Sequence, residues 1–117
     1  MKQTIQTLLS SVGVFSHYCG YHYFIRAVEL AIQDPTRLQC IKKEIYMTIA
    51  FEHATTVSNV ERDIRTIRNV MMKNNGRQLL IQMTGCPVWT DKTPCPKDLI
   101  AIFCEYLNRI SSGKTAV

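Results

Sequence analysis

The stretch GYHYFIRAVELAIQ, Gly20 to Gln33, is the strongest constraint on what this chain can become. Its apolar residues Tyr21, Phe24, Ile25, Val28 and Ile32 stand at i, i+3, i+4, i+7 and i+11. Side chains three and four apart share a helix face, so this is the buried stripe of an α-helix. A half-buried strand would alternate instead. Asp34-Pro35 closes the helix, because proline disfavours helical geometry in the residue before it.

The same periodicity recurs along the chain. A first helix is expected over Lys2 to Val12, with Ile5, Leu8, Leu9 and Val12 on one face and Gly13 ending it. A third helical region covers Thr36 to His53 and carries Leu38, Ile41, Ile45, Ile49 and Ala50. A fourth runs to Lys73, where Asn74-Asn75-Gly76 breaks the pattern. A short helix follows over Arg77 to Met83, ended by Gly85. The segment CPVWTDKTPCP, residues 86–96, holds three of the four prolines and reads as a loop, with a small extended hairpin as the alternative. Trp89 within it is expected to pack beneath the loop, or to contact a partner if exposed. Pro96 suits the first turn of a last helix over residues 97–110, which buries Leu99, Ile100, Phe103, Leu107 and Ile110. The tail, residues 111–117, is expected to be loose. The expectation is a single all-α domain over residues 1–117 with about six helices.

A chain of 117 residues suits one core. Its net charge of +5 suggests a polyanion partner. No apolar run reaches the roughly 18 residues of a membrane span, and the polar start Met1 to Gln6 is no signal-peptide core, so a cytoplasmic location is expected. The five cysteines are odd in number and form no C-x-x-C, which fits reduced thiols; Cys86 and Cys95 flank the proline loop without a disulfide being expected. Cys104 lies in an apolar helical stretch and reads as core. His17-x-Cys19-x-x-His22 gathers three soft ligands, but no fourth stands at a usual spacing, so packing is the expected role and no metal or cofactor is expected. There is no nucleophile elbow, phosphate-cradling loop or convincing carboxylate pair, and the Glu52-His53 pair reads as helix end, so no enzyme is expected.

The fourth helix carries the functional signal. At about 100° per residue, Val57, Val60, Ile64, Ile67 and Met71 share a narrow arc. Opposite lie Ser58, Arg62, Arg65, Thr66, Asn69 and Lys73, all hydrogen-bond donors and none acidic. Glu61 and Arg68 flank this face on one side, Asp63 on the other. Arginine forks match guanine and asparagine amides match adenine, while serine, threonine and lysine suit phosphate oxygens. Residues 58–77 carry five basic and two acidic side chains, a local +3. A helix over EIYMTIAFEHA precedes, with a turn of about three residues at Ala54-Thr55-Thr56. Either Thr56 or Ser58 can cap the new helix, Ser58 with Glu61 as a capping box. Helix, short turn and helix with a polar outer face is the plan of a helix-turn-helix DNA reader, here without the usual turn glycine.

The segment TTVSNVERDIRTI resembles the recognition-helix segment of the stage zero sporulation protein A family, in its C-terminal DNA-binding effector domain. SSVGVFSHYCGYHYFIRAVELAIQD, IYMTIAFEHATT and DLIAIFCEYLNRI resemble further helices of that domain, so residues 5 to 110 are covered. The resemblance implies a helical, winged-helix-like effector domain, here without receiver, that reads double-stranded DNA through the major groove. It implies tandem copies on DNA, with residues 97–110 as the pairing helix, and base contacts from Glu61, Arg62 and Arg65. Thr56, Ser58, Asn59, Thr66, Arg68, Asn69 and Lys73 are then the candidate phosphate or flank contacts. The chain departs from the family pattern at Asn59, Asp63 and Thr66; each change removes positive or adds negative charge, which bears on affinity more than on base preference. The competing expectation is a protein-interaction module that pairs with full-length regulators and modulates them.

Overall fold

The computed structural model describes residues 2–111, which form six α-helices with no strand among them. Helix α1 spans Lys2–Ser10, α2 Gly20–Gln33, α3 Met47–Glu52, α4 Val57–Lys73, α5 Gly76–Thr84 and α6 Pro96–Ser111. The all-α expectation is met. Neither a wing nor a hairpin in residues 86–96 has a counterpart among the described residues. That loop instead makes one 3-10 turn, Pro87–Thr90, with proline where a missing N–H does no harm. Of the tail expected to be loose, Ser111 closes α6 and residues 112–117 lie outside the described residues.

Helix α2 is the centre, and both α4 and α6 pack against it. Phe24 of α2 meets Phe103 of α6 edge to face, ring centroids 5.0 Å apart. Ile5 and Leu9 of α1, Val60, Ile64, Ile67 and Met71 of α4, Leu80 and Met83 of α5, and Leu99, Ile100 and Leu107 of α6 complete the same buried cluster. Cys104 is buried there, as its apolar surroundings implied. Leu8 and Ile110 are only half-buried. Helix α1 stops at Ser10, yet Val12 remains buried because its N–H still turns back onto the Leu9 carbonyl.

Gly20, the first residue of α2, sets how closely α2 and α4 approach. A Cβ there would sit inside the contact distance of the Asp63 carbonyl oxygen, 2.7 Å from the Asp63 carbonyl carbon and 2.8 Å from Ile67 Cγ1. No residue with a side chain fits this crossing without moving the backbone.

The third helical region is not one α-helix. Pro35–Cys40 forms a 3-10 turn, Lys42–Tyr46 a π turn, and only Met47–Glu52 is α-helical. Asp34 Oδ1 accepts from the Thr36 N–H at 3.1 Å and starts the 3-10 turn. Arg37 Nη1 donates to the Glu44 carbonyl at 2.6 Å and ties the 3-10 turn to the π turn. The Met47 N–H reaches back to the Lys42 carbonyl, an i to i+5 bond that widens the helix. Ile45 and Ile49, four residues apart, share the inward face of this segment and are both fully buried, while Ile41 is half-buried.

The turn between α3 and α4 is tight. His53 N–H donates to the Ile49 carbonyl at 3.0 Å and Thr55 N–H to the Ala50 carbonyl at 2.9 Å. Ala54 takes φ 52, the left-handed conformation that a turn glycine would supply. Ala54→Gly is therefore expected to stabilise the fold by about 0.5–1 kcal/mol, read as a higher urea midpoint at unchanged slope. Arg26 of α2 braces the end of α3 with a two-pronged pair onto Glu52, Nε to Oε1 at 3.0 Å and Nη2 to Oε2 at 2.9 Å. The hydrogen bond from Arg26 holds the Glu52 carboxyl below its ordinary range, so the stability this brace adds is full above that range and is lost as pH falls below it through the lowered value. Glu52 is paired with Arg26, and His53 packs edge-on against Tyr23.

Candidate nucleic-acid interface

Helix α4 has one apolar and one polar side, and the fold uses them differently. Val60, Ile64, Ile67 and Met71 are fully buried, with Val57 packed at their edge. This seats the helix and turns Ser58, Arg62, Arg65, Thr66, Asn69 and Lys73 out to solvent. All six residues grouped by the helical wheel as outer donors are exposed together.

The start of α4 is settled by its cap. Thr56 has extended backbone geometry, and its Oγ1 accepts from the Asn59 N–H at 3.1 Å. Thr56, not Ser58, is the N-cap, and Ser58 lies in the first turn with an exposed side chain. The Thr56 hydroxyl can still donate outward. Asn59 is half-buried, and its side-chain amide donates to Thr55 Oγ1 at 3.1 Å, so it ties the turn to the helix.

Each arginine has a defined neighbour. Arg62 Nε donates to Asp63 Oδ1 at 3.2 Å, leaving its two terminal nitrogens as an outward fork. Arg65 Nη2 lies 3.7 Å from Glu61 Oε1, one helical turn away. Arg68 is half-buried: its Nε donates to Asn69 Oδ1 at 3.1 Å and its Nη1 to the Pro94 carbonyl at 3.4 Å. Arg68 therefore pins the proline loop to α4. The Arg68 bond occupies Asn69 Oδ1, so the Asn69 amide N–H groups are its remaining donors. Thr66 Oγ1 donates to the Arg62 carbonyl at 3.1 Å.

Two features of the neighbourhood escaped the sequence. Lys42, in the π turn, reaches α4 and places Nζ 3.7 Å from Glu61 Oε2. Nothing in the local pattern links residues 42 and 61. Tyr46, in the same π turn, is buried close to Glu61, and burial followed by the Glu61 charge pushes its hydroxyl up to about 12. The second feature is Arg77 of α5, which donates to the Trp89 carbonyl at 3.2 Å, the Lys92 carbonyl at 2.7 Å and Thr93 Oγ1 at 3.1 Å. Arg77 thus holds the proline loop and is not a surface charge. Trp89 packs half-buried beneath that loop, as expected.

Among the described residues, no three His, Cys, Asp or Glu side chains gather as a metal site. His17 leans on Tyr18 and His22 on the edge of Tyr21, while Cys19 is exposed. Cys86 and Cys95 are free thiols. No helix among the described residues is long and apolar enough to cross a membrane.

Residues 5–107 match the family described as sporulation initiation factor Spo0A, C terminal. The match takes in the core helices, the α3–turn–α4 unit and most of α6. The chain therefore belongs to the Spo0A C-terminal family, a helical family of DNA-binding, transcription-regulating domains associated with sporulation.

Proposed function

We propose that the chain is a sequence-specific regulator that inserts α4 into the major groove of double-stranded DNA. The observation that carries this reading is the exposed donor face of α4, set immediately behind a tight turn and seated on a fully buried apolar stripe. Arg62 and Arg65 donate to guanines, and Glu61 accepts from a base amino group. Thr56, Ser58, Asn69 and Lys73 are donors placed for phosphate oxygens, and Thr66, whose hydroxyl proton goes to the Arg62 carbonyl, lines the flank. Asn59 and Arg68 act at the flank, chiefly by holding the turn and the loop against α4. A phosphate near either is a secondary contact. Tandem copies meet through α6, whose half-buried Ile102, Tyr106 and Ile110 form a stripe four residues apart.

The test is a titration of Arg65→Ala on a specific site and on scrambled DNA. A loss of about 1–3 kcal/mol is expected on the specific site, with a much smaller loss on scrambled DNA. An equal loss on both would make Arg65 a phosphate contact and remove base reading from its role.

A further inference from the structure

Glu61 is the only acidic side chain among the proposed base readers, and a carboxylate entering a groove between phosphates is disfavoured by charge. Its two oxygens are held by two different cations. Oε1 faces Arg65 Nη2 and Oε2 faces Lys42 Nζ, each at 3.7 Å. The two cations differ in what happens on DNA. Arg65 sits on α4 and, as a base reader, must leave Glu61 to reach its guanine. Lys42 comes from the π turn, whose buried Tyr46 and Ile45 fix that segment to the core independently of α4's outer face.

We infer that Lys42 is a positioning residue for Glu61: it keeps the carboxylate oriented and its charge balanced when Arg65 swings away to the bases. This rests on Glu61 and Arg65 being base readers. Lys42 is 72% exposed in the unbound protein, so the ion pair adds little to folding stability there. In the groove, water is excluded and the same pair interacts more strongly. The π turn gives Lys42 this placement, because that turn itself packs against α4.

The experiment is a double-mutant cycle with Lys42→Ala and Glu61→Gln, read as binding to the specific site and to sites altered at each base pair. Lys42→Ala is expected to melt like the wild type and to lose about five- to tenfold in specific affinity. It should also relax preference at the base pair where Glu61→Gln changes preference. The loss should vanish when Lys42→Ala is made in the Glu61→Gln background, and Lys42→Arg should restore most of it. A Lys42→Ala loss that persists with Glu61→Gln, or that is equal on scrambled DNA, would overturn the inference and make Lys42 a phosphate contact. If Glu61→Gln itself changes preference at no base pair, the base-reader role of Glu61 fails, and the inference falls with it.

Discussion

Gly20→Ala is expected to lower stability by about 3 kcal/mol and to weaken DNA binding in the fraction that stays folded. The added methyl would collide with the Asp63 carbonyl group and with Ile67 Cγ1. The first obstacle is backbone, which has no rotamer to escape into. Only separation of α2 from α4 relieves it, and that separation opens the contact on which Ile64 and Ile67 are fully buried. Alanine is the better helix former by about 1 kcal/mol, but Gly20 is the first residue of α2, where that gain is small. The measurement is a urea transition, with the midpoint falling at unchanged slope. Because Asp63 lies in the middle of α4, between Arg62 and Arg65, the residual folded protein should also bind its DNA site less tightly. An unchanged midpoint would mean that the two helices can part without loss, and that Gly20 does not set their approach.

The double substitution Arg62→Lys with Arg65→Lys is expected to abolish most site preference while leaving binding to scrambled DNA nearly intact. Lysine keeps the charge, so counterion release and the salt slope are retained. It lacks the planar fork that matches two acceptors on guanine. Each two-pronged contact is worth about 1–3 kcal/mol of discrimination, so the pair should lose several kcal/mol on the specific site. The neighbour of Arg62 supports the same loss: Asp63 accepts from Arg62 Nε, a contact suited to holding the fork in place. Competition titrations on specific and scrambled duplexes at two salt concentrations check this. Equal losses on both duplexes, or retained discrimination, would show that the arginines act as charges only.

Much of this molecule was legible in residue order. The boundaries of α2 were readable because Asp34-Pro35 stops it and its apolar stripe has no rival period. The burial of Val60, Ile64, Ile67 and Met71 followed from the same rule, and with it the outward face of Arg62, Arg65, Asn69 and Lys73. The segment from Pro35 to Glu52 was less legible. Its apolar spacing is compatible with an α-helix, and hydrogen-bond type within a helical stretch leaves almost no trace in that spacing. The turn also hid its device: a glycine was the expected sign, and Ala54 adopts the left-handed conformation without one.

The sequence by itself determined which residues face inward and outward on each helix, because that depends only on helical period and the aversion of apolar groups to water. It also determined the sign of the outer face of α4. Only the tertiary structure decided how those outward residues are held. Lys42 meets Glu61, Arg68 meets the Pro94 carbonyl, Arg77 meets the 86–96 loop, and Gly20 meets Asp63. Each of these joins residues from different elements, and a local periodicity carries no information about which elements cross. The donor face of α4 is therefore a property of the 17 residues of that helix, whereas the contacts that hold it and the charge environment of Glu61 are properties of the packed domain.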